Sequence, residues 1–144
     1  MKNSNRREFL KGTCKACLIG AVGLSMADFL ESCGTAIKGY KANMNGSQVE
    51  VPLNLFDAGV SQIISPRSYA YEIAVKKKPD NTYEALLLRC THQHNPLTPT
   101  GNGYTCMVHG SVFDTEGNVK KGPASVHLLQ LKTEIQQSNL IIHV

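Results

Sequence analysis

From Ser47 to the C-terminus the apolar positions come in short runs separated by turn residues. The segments "VEVPLNL" (49–55), "SYAYEIAV" (68–75) and "TYEALLLRC" (82–90) mix alternation with β-branched and aromatic side chains, the pattern of half-buried or fully buried strands. "KKKPDN" (76–81) separates the last two as a hairpin turn, and "SVFDTEGNV" (111–119) bends at Glu116-Gly117-Asn118. The tail "HLLQLKTEIQQSNLIIHV" (127–144) divides into two more strands around Gln136 to Asn139. No stretch holds helical periodicity over three turns with good caps. The pattern predicts an all-β domain of short antiparallel strands, a sandwich or a small barrel.

The first thirty residues read differently. "NRREFLKGTCKACLIGAVGLSMA" (5–27) joins a basic head to an apolar stretch from Cys17 to Ala27. Eleven helical residues rise about 16 Å, roughly half of a bilayer's ~30 Å hydrocarbon core, so a leader fits better than a permanent span. Arg6, Arg7, Phe9, Leu10 and Lys11 resemble a twin-arginine signal, with Asn5 in the usual Ser/Thr place. That route is associated with cargo folded before export, often around a cofactor. Leu30, Ser32 and Cys33 resemble a lipobox, in which Cys33 becomes lipidated, although Glu31 is an awkward occupant of it. The expected organisation is an export signal over 1–32, a flexible linker over 33–48 and a folded domain over 49–144. A coil from Gly34 to Gln48 would reach about 20 Å, keeping an exported domain close to the periplasmic side of a membrane.

Charge then loses its apparent meaning. The chain of 144 residues is formally +4, but five of its basic residues lie in the first fifteen positions. Beyond Ser32 ten Lys and Arg face eight Asp and Glu, too even a balance to suggest nucleic acid. The cysteines simplify in the same way. Cys14 and Cys17 leave with the leader and Cys33 is the candidate for lipid, so Cys90 and Cys106 remain. In an oxidising compartment a disulfide between them is the default.

Their neighbours argue for other chemistry. "CTHQHNPLTPTGNGYTCMVHGS" (90–111) sets Cys-x-His and Cys-x-x-His on either side of a turn-rich stretch, each motif just beyond a predicted strand. Thiolate and imidazole suit both a tetrahedral zinc and an iron-sulfur centre, and spacing alone does not separate them. The wider pattern does. "CTH" at 90–92, "CxxHGSxFDxxGxV" from Cys106 to Val119 and "GPA" at 122–124 together resemble the Rieske 2Fe-2S family.

The resemblance implies a Rieske-type antiparallel β sandwich whose two loops carry a 2Fe-2S cluster. Cys90 and Cys106 would bind the inner iron and His92 and His109 the outer one, with solvent-facing rings. Two ferric ions, two sulfides and two thiolates sum to zero charge, so an electron is easier to add than at a four-thiolate centre. Gly110 would let backbone approach the cluster, Ser111 would turn its hydroxyl toward a sulfide, and Pro123 would stiffen a covering loop.

The chain also departs from the pattern. Asn95 and Val108 stand where quinol-oxidising members carry a bracing disulfide, Phe113 where they often carry a Tyr donor, and His94 where Gly is usual. Fewer donors imply a potential in the lower half of the Rieske range, which runs from about −150 to +300 mV. His127 and His143 fall in expected strand contexts. The implied role is one-electron transfer between membrane-associated redox partners, with no nucleic acid partner and no legible substrate pocket. A Rieske subunit of a quinol-cytochrome c reductase-like or arsenite oxidase-like complex is the alternative. A zinc-stabilised binding module comes third.

Overall fold

The structure, a computed structural model, describes residues 39–144. The expected leader, the lipobox and Cys33 lie outside the described residues. The strands are β1 (Tyr40–Asn45), β2 (Gln48–Pro52), β3 (Ser61–Pro66), β4 (Ile73–Lys77), β5 (Tyr83–Leu87), β6 (Thr98–Thr100), β7 (Gly103–Thr105), β8 (Val112–Phe113), β9 (Val119–Lys121), β10 (Gln130–Gln136) and β11 (Asn139–His143). They form a closed barrel in the order β1-β2-β11-β10-β5-β4-β3 and a small sheet in the order β6-β7-β8-β9. The all-β expectation holds, with the larger sheet curled shut rather than left as an open sandwich layer. The seam is the parallel pairing of β1 with β3, where Tyr40 lies opposite Ile64.

Strand alternation builds two cores. Val49 and Val51 on β2, Ile73 and Val75 on β4, Ala85 and Leu87 on β5, and Leu140 and Ile142 on β11 point into the barrel. The residues between them on β4 and β5, Ala74 and Leu86, point outward, and with Leu88 and Cys90 they join a second core under the small sheet. This explains the unbroken apolar run Ala85-Leu86-Leu87-Leu88: both faces of the strand are covered, so neither can be polar. The same period of two runs through Leu86, Leu88 and Cys90, and again through Tyr104 and Cys106 beyond β7, and all five are buried. Both thiols are therefore core residues by register.

The expected linker needs correction. Tyr40–Asn45 and Gln48 lie in the barrel, with Asn43 opposite Glu50 across a hairpin. Ala42 is buried and Met44 packs against the barrel core, two apolar positions being enough once partners exist on both sides. The folded domain thus begins no later than Tyr40. "LNL" leaves the strand pattern after Pro52, and Leu53–Asp57 forms a 3-10 turn that buries Phe56. Residues 68–72 are turn rather than strand, and His127 sits in the loop before β10, whereas His143 ends β11. The hairpins expected at Pro79-Asp80-Asn81 and near Gln136 to Asn139 are present, joining β4 to β5 and β10 to β11.

Candidate metal centre

Two loops project from the second core, and their backbones follow the same plan. In the first, the Cys90 carbonyl accepts from the His94 N–H at 2.8 Å and the Cys90 N–H donates to the Asn95 carbonyl at 2.8 Å. In the second, the Cys106 carbonyl accepts from the Gly110 N–H at 2.9 Å and the Cys106 N–H donates to the Ser111 carbonyl at 2.8 Å. Each turn therefore closes four and five residues after its cysteine. The fourth residue must turn left-handed: Gly110 has φ 77° and His94 has φ 56°. A Cβ at Gly110 would meet nothing within 4 Å, so backbone conformation, not crowding by protein, is what selects glycine there. His94 accepts the same conformation without that freedom, at a cost of about 1–2 kcal/mol.

This plan sorts the four ligand-type side chains into two tiers. Cys90 and Cys106 are fully buried, unpaired as a disulfide, and part of one buried cluster. His92 and His109 are exposed above them, ring centroids 5.1 Å apart and planes at 87°. Burial acts to raise the Cys106 thiol. The N–H groups of His109 and Val108 and the Cys90 thiol outweigh it, holding the group below its ordinary value of 9.0. Donors that stabilise a thiolate are therefore built into the second loop itself. Two buried thiols and two exposed imidazoles make a mixed thiolate-imidazole donor set.

Three braces hold the loops together. The Thr91 hydroxyl donates to the Val126 carbonyl at 2.7 Å, and the Tyr71 hydroxyl donates to the His94 carbonyl at 2.9 Å. The Ala124 N–H donates to Ser111 Oγ at 3.0 Å inside the core, which ties the Gly122-Pro123-Ala124 loop to the second turn. With that lone pair engaged, the Ser111 proton is free for another acceptor. Asn95 is half-buried and Val108 exposed, so the loops stand on hydrogen bonds and packing. Phe113 is fully buried against the same core, and Asp114 caps the next turn by accepting from the N–H groups of Glu116 at 3.1 Å and Asn118 at 2.8 Å. Thr91 and Tyr71 escaped sequence reasoning. Thr91 sits inside the "CTH" motif, whereas nothing local marks Tyr71.

The family model for the Rieske [2Fe-2S] domain matches residues 59–133, just over half of the chain and all of both loops. The chain belongs to that family, whose cofactor is a Rieske-type 2Fe-2S cluster. Among curated proteins, the ubiquinol-cytochrome c reductase iron-sulfur subunit of Rickettsia typhi is 40% identical over 73 residues, covering 49% of this chain and 40% of that protein. The mitochondrial cytochrome b-c1 complex subunit Rieske of Bos taurus is 33% identical over 86 residues, covering 58% of this chain and 30% of that protein. The chain spans less than half the length of these relatives. Among solved structures, the cyanobacterial plasma membrane Rieske protein PetC3 from Synechocystis PCC 6803 superposes with TM-score 0.49 at 20% identity, covering 65% of this chain and 95% of that one.

Proposed function

We propose that the chain is a one-electron carrier whose cluster is held by Cys90 and Cys106 through their thiolates and by His92 and His109 through their imidazoles. The observation that carries this is the two-tier arrangement, thiols fully buried in one core, imidazoles paired and exposed. When bound, a Rieske-type cluster supplies a site that takes up and releases one electron at a potential raised by its histidine ligands. The residues of the chain divide the remaining work. The second core excludes water from the thiolates, and the N–H groups of Val108 and His109 stabilise the charge on Cys106. Ser111 offers its hydroxyl proton while accepting from Ala124, and Gly122 to Ala124 cover one side of the site. His92 and His109 give a short path to a partner and a place for a coupled proton. A reductive titration of the cluster-loaded chain is expected to consume one electron per chain, and uptake of none would contradict the reading.

The second reading, a subunit of a larger quinol-linked oxidoreductase, draws on the surface around that exit. Residues 90–113 and 122–131 contain no Asp, Glu, Lys or Arg, while Met107 and Val108 are 75% and 60% exposed. Met107 and Val108, exposed next to His109 in the chain, offer an apolar surface that suits docking on an apolar partner rather than steering by charge. The relatives named above are subunits of such complexes. Co-purification from solubilised membranes separates a subunit from a free carrier.

Export and anchoring complete the proposal. The twin-arginine-like head and the lipobox-like segment support a lipidated Cys33 on the periplasmic face of a membrane. Because the barrel begins at Tyr40, only the six residues 34–39 would separate that anchor from the fold. Fully extended they span about 20 Å, which holds the barrel against the membrane surface. Mass spectrometry of the mature N-terminus tests this, with a diacylglyceryl-modified Cys33 as the expected result.

A further inference from the structure

The second core opens to solvent beside β4 and β5. There the outward face of β3, β4 and β5 and the hairpin of β6 and β7 enclose a cleft of about 340 Å3, within the range of small-molecule sites. The hairpin stands this close to β8 because residue 103 is glycine: a Cβ at Gly103 would collide with the Phe113 carbonyl. The floor is apolar, formed by Ile63, Leu86 and Pro99 with the ring of Tyr104. Lys76 and Glu84 are the two charged residues lining the cleft, and their charges cancel. Each is also engaged at the rim, Lys76 with Glu116 at 3.3 Å and Glu84 with Lys78 at 3.6 Å. Neither an anion nor a cation is favoured inside.

Tyr104 is the group that the fold and the electron-transfer site leave unexplained. It is a largely buried residue that lines the cleft, and its hydroxyl makes no hydrogen bond with another described residue. A phenol hydroxyl open to a cleft with apolar walls and no net charge can donate to a neutral acceptor on a bound molecule.

We propose that the cleft binds an uncharged one- or two-ring aromatic molecule bearing a carbonyl, with the ring against Ile63, Leu86 and Pro99 and the carbonyl accepting the Tyr104 hydroxyl proton. None of Cys90, His92, Cys106 and His109 lines the cleft.

The test uses the 15N-labelled full chain, cluster-loaded and oxidised, titrated with 4-chromanone. Saturable amide shifts confined to residues 61–63, 86 and 101–104 are expected. Ser61→Trp, which fills the mouth of the cleft from an exposed position, should abolish them while leaving the EPR spectrum of the reduced protein unchanged. Tyr104→Phe should weaken 4-chromanone about two- to tenfold and leave chroman, which lacks the ketone, unaffected. The anion 2-naphthoate should bind no more tightly than 4-chromanone. Absence of saturable shifts up to about 5 mM, shifts elsewhere on the protein, or shifts that survive Ser61→Trp would overturn the site. Equal affinity for 4-chromanone in Tyr104→Phe, or tighter binding of 2-naphthoate, would overturn the assigned ligand class.

Discussion

Replacing Ser111 by Ala removes two interactions at once, and they report on different properties. The hydroxyl accepts from the buried Ala124 N–H at 3.0 Å, and Ser111 itself has no exposed surface. Without that acceptor the amide is left unpaired in the core, at a cost of about 1–3 kcal/mol. For a domain of this size 1 kcal/mol corresponds to a fall in Tm of about 4–8 °C. The freed proton of the same hydroxyl is proposed to point at the cluster, where it stabilises the reduced, more negative state more than the oxidised one. A hydrogen bond worth about 0.5–1.5 kcal/mol of that difference converts, at 59 mV per 1.36 kcal/mol for one electron, to a midpoint lower by about 20–65 mV. Thermal melts followed by visible circular dichroism give the first quantity and a redox titration followed by EPR the second. A lowered Tm with an unchanged or higher midpoint would show that Ser111 serves the loop alone and would refute its role at the cluster.

Other consequences follow from particular residues. His94→Gly relieves a left-handed conformation at an exposed position and should stabilise the cluster-loaded protein by about 1 kcal/mol, read from denaturant midpoints, with no change in the visible spectrum. Asp114 governs part of the acid response. Burial acts to raise its carboxyl, but hydrogen bonds from the N–H and side chain of Asn118 and from the Glu116 N–H outweigh that and hold it below 3.8. A depressed folded value means that this contribution is complete above the unfolded value and disappears as pH falls through the folded one. Unfolding of Asp114→Ala should therefore depend less steeply on pH below about 4 than unfolding of the parent protein, as measured by urea melts. The exposed apolar pair Met107 and Val108 next to His109 predicts that electron exchange with the physiological partner changes little as ionic strength rises, and a steep fall in a stopped-flow salt series would contradict apolar docking.

The strands that carry the thiols are legible in the sequence because local signals specify them. The run Ala85 to Leu88 announces a strand covered on both faces, and continuing its period of two places Cys90 in the second core. The hairpins around residues 78–82 and 137–138 are marked by their own turn residues. The barrel's closure has no such marker. β1 and β3 each carry only two or three apolar positions, and they meet in parallel with Tyr40 opposite Ile64, a pairing that no adjacent residues encode. For that reason residues 40–48 read as linker.

The braces of the site share this difficulty. Ser111 meets Ala124 across 13 residues, Tyr71 meets His94 across 23 and Thr91 meets Val126 across 35. Each depends on the finished fold to bring donor and acceptor together. The left-handed turn at His94 is the reverse case, since its counterpart Gly110 is visible in the sequence while His94 gives no hint of the conformation it adopts. Likewise the cleft beside Tyr104 exists only once the small sheet has packed against the barrel.

The central claim is a two-iron cluster held by two thiolates and two imidazoles, and EPR of the dithionite-reduced full chain tests it most directly. Mixed ligation lowers the mean g value below that of an all-cysteine 2Fe-2S centre, and the account predicts such a spectrum, lost in Cys106→Ser and altered in His92→Cys. A colourless protein holding one zinc and no acid-labile sulfide, or a reduced signal with the mean g of an all-cysteine centre, would contradict it.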